Sequence, residues 1–309
     1  MMPEFLRPGD TIGICATARW ITPEQLAPAL EMIESWGFKT KVMPQVYWKE
    51  GQLAGSDADR IHGFKSCLLD PEIKAIIIAR GGYGTVRVID AISDEEILSN
   101  PKWICGYSDI TVLHSRWNNL GIPTIHSTMP ISFPNATPMA LSQLKDALIG
   151  HWKGRAWECE RSGNWEFSAP IVGGNLSVIY SQLGSSTQLK ANDAVIFLED
   201  VDEMAYHMDR MLMALKRAGI FSNARGLLIG GLTQMRDNTE QFGFATNNPW
   251  GKTSEQMFKE LAADLNLPIA FQFPAGHWDQ NEGFFLNVPV RFYSSANNSD
   301  SLNIELIGV

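Results

Sequence analysis

Short apolar runs alternate with segments of helical periodicity through the first half of this chain. That alternation restricts its fold more than any other feature. Residues 11–16 (TIGICA), 39–43, 74–79 (KAIIIA), 103–106 and 123–126 read as strands. Between and after them, 23–36, 56–69, 84–92, 109–120 and 137–150 read as helices. Thr22 before Pro23 marks one helix start, Gly37 its end, and Ser56 or Asp57 opens the next. Strands such as KAIIIA, apolar on both faces and followed by helices, belong in a parallel sheet covered on both sides.

After residue 150 the texture changes. Residues 151–168 are polar and Trp-containing, with Gly154 and Gly163, and read as an interdomain crossing. Further on, 194–198, 226–232, 269–273, 288–293 and 302–307 are strand candidates, with helices at 205–218 and 254–265. The last strands follow one another without a helix, which suits a mixed α+β domain. A length of 309 residues fits two domains, 1–150 and 169–309, each able to bury its own core.

Charge and composition exclude several classes of function. There are 34 acidic and 25 basic side chains, a net charge of −9. No basic excess exists to neutralise nucleic-acid phosphates or bind an anionic membrane surface. Met1 to Asp10 lacks the basic and apolar regions of a signal peptide, and the aliphatic run at 73–79 is too short to span a bilayer. A soluble cytoplasmic protein is the expectation. Cys15, Cys67, Cys105 and Cys159 form no CxxC pair, and the six histidines show no metal-ligand spacing. Neither a metal nor another cofactor is therefore expected.

Three glycine-flanked turns follow apolar strands. Arg80-Gly81-Gly82-Tyr83-Gly84 could cradle a phosphate or simply make a tight turn, although Arg87 stands where a dinucleotide fingerprint has its third glycine. Gly106-Tyr107-Ser108-Asp109 has the logic of a nucleophile elbow, though Ile110 replaces the second glycine. Ser108 or Asp109 could equally cap the following helix. In Pro274-Ala275-Gly276-His277 the histidine is placed to act as a general base, a claim that His62, His114, His126, His151 and His207 share in isolation. Glu199, after an apolar strand, could orient an imidazole, or belong to a solvated acidic loop with Asp200, Asp202 and Glu203. The order Ser108, Glu199, His277 is the serine–acid–histidine order of many α/β hydrolases.

Together these segments resemble the LD-carboxypeptidase family, serine peptidases that act on murein tetrapeptides. The likeness runs through Leu6 to Ile14, Arg80 to Gly84, Gly106 to Thr111, Gly173-Gly174-Asn175-Leu176-Ser177, Phe197 to Asp200, and Gly276-His277 with Asn281. It implies a Rossmann-like N-terminal domain with a parallel sheet and a β-rich C-terminal domain. It further implies Ser108 as nucleophile, His277 as base, Glu199 as its orienting acid, and the N–H groups of Gly82 and Asp109 as the oxyanion hole. The implied protein is a homodimer without a cofactor, whose partner is a small murein peptide.

Recognition of the substrate carboxylate needs a basic or amide group, for which Arg80 and Asn175 are candidates. This chain departs from the family at His126-Ser127-Thr128-Met129, after His277, and in an enlarged loop at 241–251. Two other functions remain open. One is a microcin-immunity-like amidase acting on aminoacyl-nucleotide analogues, with Trp165, Trp250 or Trp278 available to stack on a base. The other is a non-catalytic nucleotide binder using Gly81–Gly84.

Overall fold

The apolar runs of the first half form five parallel strands in a computed structural model that describes residues 1–295 and 298–307. They are Thr11–Cys15, Lys39–Val42, Ile73–Ile78, Trp103–Gly106 and Thr124–His126. Across the sheet the order is Phe284–Leu286, Thr124–His126, Trp103–Gly106, Ile73–Ile78, Thr11–Cys15, Lys39–Val42. The first of these is a late-sequence strand that pairs antiparallel with Thr124–His126. Met1–Lys153 and Asp279–Val288 make up this unit; Gly154–Trp278 and 289–307 make up a second.

The helices of the first unit follow from their caps and apolar spacing. Thr22 and Gln25 form a reciprocal capping box at the start of Pro23–Ser35, which buries Leu26, Ala29 and Ile33. Full burial of an Ile or Leu side chain contributes about 1.5–3 kcal/mol, so that face outweighs the cap in holding the helix. Ser56 and Asp59 cap Asp57–Leu69 in the same way.

The helix expected over 84–92 is absent. Thr85–Arg87 and Ile89–Ala91 are single 3-10 turns, and the α-helix begins later, at Asp94–Ser99, behind a Ser93–Glu96 capping box. The backbone hydrogen bonds from Arg87 N to Gly84 O, Val88 N to Thr85 O, Ala91 N to Val88 O and Ile92 N to Ile89 O each span three residues, the pattern of 3-10 turns.

The second unit is a mixed eight-stranded sheet. Phe167–Asn175, Ala194–Val201, Ala224–Thr233 and Ile269–Ala270 run parallel at its centre. Pro289–Ser295, Asn298–Leu306 and Gly154–Glu158 extend one side antiparallel, and Arg161–Ser162 closes the other. Trp157 and Trp165 are buried despite their polar surroundings; their indole N–H groups donate to Phe271 O and Ser162 O at 3.1 Å.

Helix Ala205–Arg217 covers the parallel strands with Met208, Met211, Leu212 and Leu215, the i, i+3, i+4, i+7 stripe of an amphipathic helix. Ser254–Leu265 adds Met257, Phe258 and Leu261 to the same core. The architecture is thus α/β, a Rossmann-like parallel sheet in one unit and a mixed, β-rich sheet in the other. No helix among the described residues is long and apolar enough to cross a membrane. No cluster of potential metal ligands occurs among them either.

Candidate active site

Ser108 sits two residues beyond the Trp103–Gly106 strand and opens a 3-10 turn, Ser108–Ile110, that leads into helix Thr111–Asn119. Its φ is 63°, a left-handed conformation that costs a non-glycine residue about 1–3 kcal/mol. His114, fully buried in that helix, has Nε2 2.9 Å from Gly106 O and Nδ1 2.8 Å from Thr124 Oγ1. A carbonyl only accepts, so Nε2 carries the proton and Nδ1 accepts from the threonine hydroxyl. Burial lowers the His114 pKa to about 4, and the ring is neutral.

The glycine-rich turn lies against this elbow. A Cβ on Gly81 would stand 3.5 Å from Ser108 Cβ, in ordinary van der Waals contact, and 3.1 Å from Met129 Cε, whose flexible end would have to give by a few tenths of an ångström. The Asp109 carboxylate, buried, accepts from Thr85 N at 2.9 Å, and Thr85 Oγ1 is 2.7 Å from Thr17 Oγ1. Burial raises the pKa of Asp109, against the lowering effect of the Thr85 hydrogen bonds. Asp109 thereby ties the Gly81–Gly84 turn to the elbow, a side-chain function distinct from its expected N–H role.

The second unit brings Glu199 and His277 together. Glu199, near the end of Ala194–Val201, is fully buried, and its Oε2 accepts from His277 Nδ1 at 2.6 Å. Burial by itself would lower the imidazole pKa, but the Glu199 charge and hydrogen bond, with Asp200 behind them, raise it above its ordinary value. Gly276, at φ 120°, makes the pair possible: a Cβ there would lie 2.9 Å from Glu199 Cβ and 3.0 Å from its Oε2. Thr233 Oγ1 donates to His277 O at 3.1 Å and fixes the backbone.

The two candidates for substrate binding make hydrogen bonds within the chain. Asn175 caps Leu176–Ser181 through Val178 N at 3.0 Å and donates to Asp200 Oδ1 at 2.9 Å. Asp200 also accepts from Ser177 N and Val201 N, and burial, with the Glu199 charge, pushes its pKa to about 7. Arg80 is half-buried and donates to Trp20 O at 3.4 Å.

The remaining histidines divide by environment. His126 is packed 5.0 Å from the Phe284 ring, whereas His62 and His151 are exposed. His207 pairs with Glu203 at 2.6 Å across one helical turn, but that carboxylate is partly exposed.

The N-terminal domain of LD-carboxypeptidases matches residues 12–127, and the C-terminal domain of the same family matches 168–292. The chain belongs to the LD-carboxypeptidase family. A probable murein peptide carboxypeptidase of Bacillus subtilis is 34% identical over 239 residues, covering 74% of this chain and 73% of that protein. A murein tetrapeptide carboxypeptidase of Pseudomonas aeruginosa is 24% identical, covering 88% and 90%. The microcin C7 self-immunity protein MccF, solved in complex with aspartyl sulfamoyl adenosine, shares the fold with a TM-score of 0.84 at 18% identity, covering 99% and 98%. In this LD-carboxypeptidase family member Ser108 and Gly82 fall within the N-terminal match, and Glu199 and His277 within the C-terminal one.

Proposed function

We propose that the protein is a serine carboxypeptidase that hydrolyses the L,D amide bond of murein tetrapeptides and releases terminal D-alanine. It would act in the cytoplasm, as a homodimer, in the recycling of peptidoglycan fragments. The observation that carries the chemistry is the Glu199–His277 hydrogen bond of 2.6 Å from a fully buried carboxylate. Such a carboxylate holds the imidazole in one tautomer and stabilises its cation, as catalysis by a serine–histidine–acid triad requires.

In the proposed reaction His277 Nε2 takes the Ser108 hydroxyl proton as the serine oxygen attacks the amide carbonyl. The tetrahedral oxyanion is stabilised by the N–H groups of Gly82 and Asp109, each such donor contributing about 3 kcal/mol in comparable sites. His277 then gives its proton to the departing amine of D-alanine. A water molecule, deprotonated by the same nitrogen, cleaves the acyl-enzyme ester and restores the serine. The strained Ser108 backbone, two residues after the Gly106 carbonyl that His114 holds, suits a preformed nucleophile.

A second reading draws on the MccF likeness and on Phe244 and Trp250, which are 42% and 44% exposed in the segment between the Ala224–Thr233 strand and helix Ser254–Leu265. Exposed rings of this kind can stack on a nucleobase. Parallel assays separate the two. Turnover of a murein tetrapeptide with little activity on an aminoacyl sulfamoyl adenosine is expected. The reverse pattern would replace the first reading with the second.

A further inference from the structure

Two guanidinium groups beside the elbow have no acidic partner. Arg60, Arg87, Arg116, Arg225 and Arg236 each pair with an aspartate. Arg19 and Arg80 pair with none among the described residues, and the buried Nε of Arg19 has no hydrogen-bond partner. The two are close enough that burial and the charge of Arg19 together lower the pKa of Arg80. Like charges gathered in a half-buried place cost free energy unless an anion joins them.

Their location gives that anion a purpose. Arg19 lies beyond the carboxyl end of the Thr11–Cys15 strand, where Leu53 pairs with its backbone. Arg80 follows the neighbouring Ile73–Ile78 strand, and Ser108 follows Trp103–Gly106 beside that. Ligands of open α/β sheets bind at this edge. The Arg19 side chain runs across Gly82: a Cβ there would meet its Nε at 2.6 Å and Cδ at 2.7 Å. The residue whose N–H is proposed to hold the oxyanion is therefore also the one over which Arg19 lies.

We infer that Arg19 and Arg80 form a carboxylate site that takes the free C-terminal carboxylate of the peptide whose last amide bond Ser108 attacks. The inference deepens the proposed carboxypeptidase reading and rests on it for the nature of the ligand. Planar guanidinium groups suit a carboxylate, with two N–H donors facing two oxygens. The site selects acids over amides and esters, and so restricts cleavage to the terminal residue. A net charge of −9 gives no general attraction for such a substrate, which makes the local pair necessary.

The test uses the full chain with Ser108→Ala, so that binding is read without turnover. N-acetyl-D-alanine, N-acetyl-D-alaninamide and inorganic phosphate are titrated separately, with chemical shifts as the readout. The acid is expected to bind about tenfold or more tightly than the amide and than phosphate. Adding Arg19→Ala or Arg80→Ala should abolish the preference for acid over amide, and Arg19→Lys should keep part of it. Equal binding of acid and amide, persistence of the preference in both alanine variants, or tighter binding of phosphate would overturn the inference. Turnover of murein tetrapeptide by the unmodified protein is measured in parallel. Acid selectivity without turnover would reject the proposed reaction and keep the carboxylate site, whereas turnover without acid selectivity would do the opposite.

Discussion

Glu199 Oε2 accepts from His277 Nδ1 at 2.6 Å although 78 residues separate the two, and Gly276 alone leaves room for the carboxylate beside the turn. The pair sets the imidazole's tautomer, its orientation and its affinity for a proton. Its consequences can be measured separately.

Removing the charge while keeping the shape isolates the electrostatic part. Glu199→Gln should lower kcat by about 10³–10⁴, as loss of the orienting acid does in other triads, with a smaller change in KM. The His277 pKa should fall at the same time. Steady-state kinetics and a histidine-resolved titration would show both effects; an unchanged kcat would remove Glu199 from the mechanism.

The pH dependence follows from the sign of the His277 shift. A general base must be neutral, so kcat/KM should rise with pH through an ionisation above the ordinary imidazole value of 6.5. For stability, a pKa raised on folding means that the native state holds the proton more tightly. The pair's stabilisation is therefore full below the unfolded pKa and is lost as pH rises through the folded one. A pH–rate profile with its acid limb below 6.5 would contradict this.

Gly276→Ala tests the packing requirement. An added methyl at φ 120° is strained and would crowd Glu199 at 2.9–3.0 Å. Stability should fall by about 1–3 kcal/mol, and activity should fall far more than a fraction-folded correction explains. Thermal melts combined with activity at a temperature where the variant is fully folded would separate the two losses.

His114 supports the elbow from below. His114→Leu would strand the Thr124 hydroxyl, at about 1–3 kcal/mol, and leave Gly106 O with only its bond from Ser127 N. A lower Tm and a reduced kcat are expected. Because the folded His114 pKa is depressed to about 4, the native form resists protonation, and its contribution is full above the ordinary value and declines as pH falls below it. The variant should therefore lose less stability than the parent between neutral pH and pH 5.

Much of this was legible in the sequence because the informative residues lie in local patterns. Apolar strands ending in Gly-containing turns made Ser108 and His277 candidates, the run at 194–198 did so for Glu199, and the family resemblance singled the three out. What escaped was set by contacts distant in the chain. Phe284–Leu286, three residues long, joins the first sheet only by pairing with Thr124–His126. The Thr85–Asp109 link and the passage of Arg19 over Gly82 leave no local trace. His114 looked like any other histidine until its two ring nitrogens were placed. At 84–92 the apolar spacing suited a helix, but the backbone closes two single 3-10 turns instead.

The central claim is that Ser108 attacks the terminal amide bond of a murein tetrapeptide. The most direct measurement is D-alanine release from that tetrapeptide by the unmodified protein and by Ser108→Ala, alongside a thermal melt of each. One D-alanine per tetrapeptide is expected from the unmodified protein. The rate should fall by about 10³ or more in the variant, with Tm nearly unchanged. Release that survives Ser108→Ala, or no release by the unmodified protein, would contradict it.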